Sequence, residues 1–393
     1  MNKQKSIFSR QHNVYQEIYA NRRIKIFWKS FLFKYKQLIA SGFKHRRRGP
    51  HINIGFVLDG GIGDNVLYGA YLEKFTKKLD CETKIYLFVR QPVDSIKSLF
   101  SEYEFGANIY PRHKLKKIPL DMIIRFGVQF PEVLFYRDKY ISKKSKFLPR
   151  YENTIFEFNK RYAHVLGNSN IFSQQILLDI RGLNRIDGMD ICGLVDLKKS
   201  DKITIKIPET AKAILEQNNI QDGKFITFSY GTDLNTNVQT STRLWPADKF
   251  SELFSRIKSE FPDYKIVQLG TKSLSKIDGV DINLVGQTSF YELLTLLGKS
   301  SLHIDGECGM VHLRHALCER PSVVLLGPTS ISTKGYPENI NIRSKTCNCT
   351  CCEWLTGAKW QTFCPKTNTS IAPCMHTISV DTVFEHIKGV IRI

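Results

Sequence analysis

A chain of 393 residues is long enough for two ordinary α/β domains with small additions. Its composition, 42% apolar and 24% charged, is that of a globular protein and excludes a disordered one. No apolar run approaches the roughly 18 residues of a spanning helix. The first apolar stretches are cut by Lys and Arg, with no small-residue cleavage site after them, so a cytoplasmic protein is expected rather than a secreted one.

The formal charge of +20 is concentrated. Residues 1–49 hold thirteen Lys or Arg against the single acid Glu17, a net of +12, and residues 112–150 hold eleven against three, a net of +8. Two dense blocks point to an anionic partner: nucleic acid, anionic lipid or a phosphorylated glycan. Within the first block, Ile24, Phe27, Trp28, Phe31, Leu32, Tyr35, Leu38 and Ile39 recur at helical spacing among basic residues. The pattern predicts a basic amphipathic helix over 22–40, suited to peripheral contact with a membrane or to packing on protein.

From Ile52 to Leu58 the sequence reads as a buried strand, followed by Gly60-Gly61-Ile62-Gly63-Asp64 and a helix with the stripe Val66, Leu67, Tyr68, Tyr71, Leu72 and Phe75. Strands are predicted over 84–89, 120–125 and 133–136, the grammar of a parallel-sheet unit. A second half begins near Ile203. Lys224–Tyr230 is predicted as a strand leading into a polar loop. Trp245-Pro246 opens a helix with Pro in its first turn. Tyr264–Leu269 is a strand, Ser289-x-x-Glu292 caps a helix running to about Leu297, and 302–305 and 322–326 are two further strands. The repeated pattern predicts two Rossmann-like domains facing each other, with ligands at the carboxyl ends of the strands. The expected division is a basic extension over 1–50, an acceptor domain over 51–202, a nucleotide-sugar domain over 203–345, a cysteine-rich segment over 346–376 and a terminal helix over 377–393.

Glycines after a strand let backbone N–H groups approach a ligand, and a helix N-terminus favours negative charge. Gly61, Gly63 and Asp64 therefore mark a candidate site, although Asp64 also suits a plain first-turn acid. Six of the ten cysteines fall between Cys347 and Cys374. With no export signal, the cluster reads as metal ligands before disulfides. Cys349-x-x-Cys352, then Cys364 and Cys374, suit a tetrahedral structural ion, zinc or iron, with Cys347 and Cys351 as alternative ligands.

Five motifs follow in order: Ser229-Tyr230-Gly231, Arg243-Leu244-Trp245-Pro246, Val285-Gly286-Gln287-Thr288-Ser289, Glu307-Cys308-Gly309-Met310-Val311-His312-Leu313 and Gly327-Pro328-Thr329. The series resembles glycosyltransferase family 9, the ADP-heptose:lipopolysaccharide heptosyltransferases, over roughly residues 52–390. The resemblance implies a GT-B fold and an inverting glycosyltransferase. Its nucleotide-sugar donor is ADP-heptose, and its acceptor a lipopolysaccharide-core glycan. It makes Asp64 the general base and Arg243 the phosphate-gripping residue, usually Lys in the family. Glu307, Gly309, Met310 and His312 match the family's Asp-Ser/Thr-Gly-x-x-His, with Glu307 and Cys308 as departures. Gly61, Gly63, Ser229 and Thr329 complete the implied donor site, and no catalytic divalent metal is expected. The Cys-rich insert with Cys352-Glu353-Trp354 is similar to the autotransporter heptosyltransferase branch, which implies iron and offers a protein acceptor as the alternative. A competing reading, a nucleic-acid-binding protein with a zinc knuckle, is weakened because the cysteines lie outside both basic blocks and no nucleic-acid motif is present.

Overall fold

In the computed structural model, residues 50–90, 92–126, 129–162, 171–231, 241–271, 276–349, 352–353 and 361–391 are described. The predicted helix over 22–40 lies outside them. All seven residues of β1, Ile52–Leu58, are buried, as a strand covered on both faces requires. Beside it run β2 (Thr83–Val89), β3 (Ile109–Pro111), β4 (Met122–Phe126) and β5 (Pro131–Tyr136), in the order β3-β2-β1-β4-β5. All pairings are parallel except β5, which returns antiparallel to β4. Between β1 and β2 runs α1, Ile62–Lys77, with Tyr68, Tyr71, Leu72 and Phe75 buried. Helices α2 (Ile171–Ile180) and α3 (Arg185–Met189) follow this sheet in the chain.

The second half repeats the scheme. Its strands are β6 (Phe225–Ser229), β7 (Lys265–Leu269), β8 (Ile282–Asn283), β9 (Leu302–Gly306), β10 (Ser322–Leu325) and β11 (Ile340–Ile342). They form one all-parallel sheet in the order β11-β10-β9-β6-β7-β8. Its helices include α4 (Ala247–Glu260), α5 (Phe290–Lys299), α6 (Gly309–Leu317), α7 (Ile331–Lys334) and α8 (Val380–Ile391). Two facing parallel α/β halves are the architecture predicted from the sequence.

Local differences have physical causes. Pro246 stands at the N-cap of α4, not inside its first turn, because its extended backbone (ψ 141°) precedes the helical residues. The capping box of α5 forms as predicted: Ser289 accepts from the Glu292 N–H at 3.3 Å and Glu292 accepts from the Ser289 N–H at 2.7 Å. The edge strands β3, β8 and β11 are two or three residues long and leave no apolar run to read. Helix α8 packs on the second half, where Val383 and Ile387 join the core of Leu253 and Ile257. The Trp245 indole donates to the Ile378 carbonyl at 3.1 Å and pins the approach to that helix. No helix among the described residues is long and apolar enough to cross a membrane.

Candidate active site

Two helix N-termini, one from each half, meet across the cleft. Gly61 caps α1 in extended conformation, and its N–H donates to Oδ2 of Asp64 at 2.6 Å. Opposite stands α6, which begins at Gly309 after Cys308. A Cβ on Gly63 would lie 2.4 Å from the His312 ring and 3.0 Å from Gly309 Cα, and one on Gly309 would lie 2.6 Å from Ile62 Cγ2. Both positions are glycine because the helices touch there. The positive ends of two helices consequently lie side by side, an arrangement that favours negative charge beside them.

Asp64 sits on the first of these turns, with its side chain 23% exposed. Its other carboxylate oxygen, Oδ1, accepts from the guanidinium of Arg185. Asn184 caps α3 through a reciprocal pair with Asp187, and so fixes the turn that carries Arg185. Burial works against the charge of Asp64, but Arg185, Lys334 and His312 outweigh it and hold its carboxyl below the usual 3.8. Asp64 is an anion at neutral pH.

Glu307 occupies the corresponding place in the second half. Its Oε2 accepts from Arg243 Nη1 at 3.0 Å, and the same nitrogen donates to the Glu307 carbonyl at 2.9 Å. Its Oε1 lies 3.7 Å from both His312 Nε2 and Lys334 Nζ. Burial again opposes the charge. Lys334, His312 and Arg243 hold the carboxyl well below the ordinary carboxylate range. His312 Nδ1 shares a 2.6 Å hydrogen bond with the Tyr336 hydroxyl, which fixes the ring. Lys334 continues to Glu353 Oε1 at 3.3 Å, and Glu353 is 3% exposed. Burial pushes the Glu353 carboxyl up, while Lys334 pulls it back.

The structure thus brings Gly61, Gly63, Asp64, Arg243, Glu307, Gly309 and His312 to one cleft. Met310 lies in the first turn of α6, half-buried. Ser229 closes β6 and Thr329 follows β10, both buried at carboxyl ends of the second sheet. Sequence reasoning missed Arg185, Lys334, Tyr336 and Glu353. The Asn184-x-x-Asp187 cap gives the start of α3 away, but nothing local says where Arg185 points.

The cysteine-rich segment folds against this site. The Thr242 N–H donates to the Gln361 carbonyl at 2.8 Å, and the Glu353 N–H to the Pro328 carbonyl at 3.0 Å. Cys364 opens a tight reversal, pairing with Thr369 (N···O 2.6 Å), with Asn368 at φ 54°. Burial, with Cys352, Cys347, Cys349 and Cys364 adding to it, pushes the Cys374 thiol up to about 12. Five cysteines are therefore neighbours, but among the described residues their sulfurs do not form a group with ligand atoms within 4.8 Å of one another; Cys351 lies outside the described residues.

A separate buried trio stands behind the site, with one ligand atom each of His303, Asp305 and Cys308 within 4.8 Å of one another. The Cys308 thiol donates to Asp305 Oδ2 at 2.8 Å, and burial with Asp305 alongside raises its pKa strongly. A protonated thiol serves as donor there, while His303 bonds Thr227 through Nδ1 and its Nε2, 3.3 Å from Asp305 Oδ2, makes no hydrogen bond of its own.

Residues 193–356 match the family described as glycosyltransferase family 9 (heptosyltransferase). Over that stretch the chain carries a family 9, heptosyltransferase-type glycosyltransferase domain. Solved structures similar to the chain include E. coli ADP-heptose lipopolysaccharide heptosyltransferase II, with TM-score 0.55, 14% identity and coverage of 87% of this chain and 99% of that one. A second is the iron-containing dodecameric glycosyltransferase TibC from enterotoxigenic E. coli H10407, with TM-score 0.56, 14% identity and coverage of 88% and 78%. A third is a family 9 glycosyl transferase from Veillonella parvula, with TM-score 0.54, 13% identity and coverage of 88% and 99%. At these identities the likeness shows the fold. No curated protein sequence matches the chain.

Proposed function

We propose that this glycosyltransferase moves heptose from ADP-heptose to a lipopolysaccharide-core acceptor with inversion at the anomeric carbon. The observation that carries the reading is the opposed pair of helix N-termini, with Asp64 on one and Arg243, Glu307 and His312 around the other. Residues 51–202 then bind the acceptor, and residues 203–345 the donor. Asp64 takes the proton from the acceptor hydroxyl as its oxygen bonds to the anomeric carbon. The bond from that carbon to the diphosphate oxygen breaks on the opposite side. Its electron pair goes to the leaving nucleoside diphosphate, which Arg243 and the N-terminus of α6 stabilise. Gly61, Gly63, Ser229, Met310 and Thr329 line the donor and acceptor approaches.

The gathered thiols favour a second acceptor class, a protein such as an autotransporter. TibC, an iron-containing glycosyltransferase, was also solved with ADP-D-beta-D-heptose. In this reading Cys349, Cys352, Cys364 and Cys374 hold one iron ion, whose chemistry is structural. The test is a screen of ADP-, UDP- and GDP-sugars by calorimetry and donor hydrolysis. It is followed by transfer to truncated core oligosaccharide and to an autotransporter passenger fragment. Preference for ADP-heptose is expected, and tighter binding of a UDP- or GDP-sugar overturns the donor assignment.

A further inference from the structure

Lys334 is absent from every motif the sequence displays, yet it lies at the centre of the cleft. It ends the short helix α7, and its side chain is 6% exposed. Helix α7 is clasped to the first half: Gln175 Nε2 donates to Thr333 Oγ1 at 2.6 Å, and Ser332 Oγ donates to Asp179 Oδ1 at 3.0 Å. Lys334 therefore sits at the seam between the halves. It is near enough to Asp64 to lower that carboxyl's proton affinity, and it faces Glu307 from the side opposite Arg243.

Three observations give it a task. First, a donor diphosphate carries two negative charges along its bridge, whereas Arg243 supplies one positive charge and a helix N-terminus about half of one. Second, the Nζ contacts to Glu307 and Glu353, at 3.7 and 3.3 Å, exceed the roughly 2.7–2.9 Å of a charge-assisted hydrogen bond. An ammonium with three donors has capacity left for phosphate oxygens. Third, the cysteine-rich segment braces both cations, through Gln361 beside Arg243 and through Glu353 on Lys334. A buried lysine given its own carboxylate brace is held at a chosen place.

We propose that Lys334 is a second diphosphate ligand, binding the sugar-proximal phosphate of the donor while Arg243 binds the nucleoside side. The proposal rests on the nucleotide-sugar reading of the site. Of the two cations that hold the Glu307 carboxylate, Lys334 is the one that also acts on Asp64. The attacked carbon lies between the base and the leaving oxygen, so Lys334 rather than Arg243 meets the phosphate bonded to the sugar.

The experiment is calorimetric titration of the full-length, metal-loaded protein with ADP, UDP and GDP, and with the monophosphate of whichever binds best. Wild type is expected to prefer the diphosphate. Lys334→Gln should lower diphosphate affinity tenfold or more and monophosphate affinity no more than about twofold, and Lys334→Arg should recover most of the loss. The double variant Lys334→Gln/Glu353→Gln removes the stranded carboxylate, so the same selective loss is expected there even if the single variant folds poorly. Equal losses for both ligands, or an undiminished preference for the diphosphate, overturns the assignment of Lys334 and leaves the donor class standing. A wild type that binds no nucleoside diphosphate overturns the donor reading, and this assignment with it.

Discussion

Arg185 donates to the carboxylate of Asp64, so the proposed base is held by a cation from its own half of the molecule. The pair sets two opposing properties. It keeps Asp64 ionised and oriented, and it makes Asp64 a weaker proton acceptor than a lone carboxylate.

Asp64→Asn should fold, bind the donor and lose transfer by roughly 10²-fold or more, the usual cost of removing a general base. With Arg185 in place, the acid limb of the rate profile should lie below pH 3.8, because the folded carboxyl is held under that value. Arg185→Gln should move the limb upward, since burial then acts on Asp64 with less opposition. The stability that Asp64 contributes is present above its unfolded value and is lost as pH falls through the lower folded one. Initial rates across pH with donor held saturating check both claims, and an unshifted limb in Arg185→Gln would break the link between the two residues.

Gly63 and Gly61 look alike in sequence and should behave differently. A Cβ at Gly63 runs into the His312 ring, whereas one at Gly61 meets only Asp64 Oδ2 at 3.6 Å. Gly61 has φ −72°, which any L-residue adopts. Gly63→Ala should cost about 1–3 kcal/mol, the range for overpacking, and separate the helix N-termini. Gly61→Ala should change stability by less than about 0.5 kcal/mol, as for an ordinary surface substitution. Denaturant midpoints of the two variants provide the comparison, and equal midpoints would count against the close contact between α1 and α6.

The fold was legible in the sequence because buried parallel strands leave continuous apolar runs, as in Ile52–Leu58 and Phe225–Ser229. Capping chemistry at Ser289 was legible because its partners are three residues apart. The sequence motifs marked Asp64, Arg243, Glu307 and His312 as candidates, and the fold brings these four together. Arg185 and Lys334 were not, because each finds its partner through tertiary packing, 121 residues away for Arg185–Asp64. The basic block over 112–150 was legible only as charge. Arg112, Arg125 and Arg137 are paired with Asp59, Glu132 and Asp121, while beyond β3 Lys116 and Lys117 are exposed and Lys114 is half-buried.

His315 gives a stability signal with a definite window. It lies on the turn of α6 after His312 and stacks on Tyr336 with ring centroids 3.7 Å apart. Burial lowers its pKa to about 4, with Glu338 opposing the shift. Unfolded histidine titrates near 6.5. Between about pH 6.5 and 4 the unfolded chain therefore binds a proton that the folded chain refuses, and stability falls as pH drops through that window. His315→Gln should be less stable than wild type at pH 7, and the gap should narrow toward pH 4.5. Melting temperatures of both proteins over that range decide it, and a gap independent of pH would mean that His315 is not held neutral.

The metal prediction needs no substrate. Between Cys347 and Cys374 the described chain has only the Cys364–Thr369 reversal and the short helix Pro373–His376 as regular structure. Such a segment buries little apolar surface of its own, so coordination has to supply much of its ordering energy. The same segment holds Thr242 and Lys334 through Gln361 and Glu353, so losing the ion should loosen the donor site as well as the fold. Purified protein should carry about one tightly held ion per chain, as expected for four thiolates around one tetrahedral centre. Iron would colour it red by thiolate charge transfer, whereas zinc would leave it colourless. Cys364→Ser should lose the ion, lower the melting temperature and weaken nucleotide binding. Cys81→Ser, in the first half and outside the gathered thiols, should do none of these. Elemental analysis with thiol titration checks the outcome: metal-free protein that is folded, with Cys349, Cys352, Cys364 and Cys374 freely reactive and nucleotide affinity intact, would remove the centre from the account.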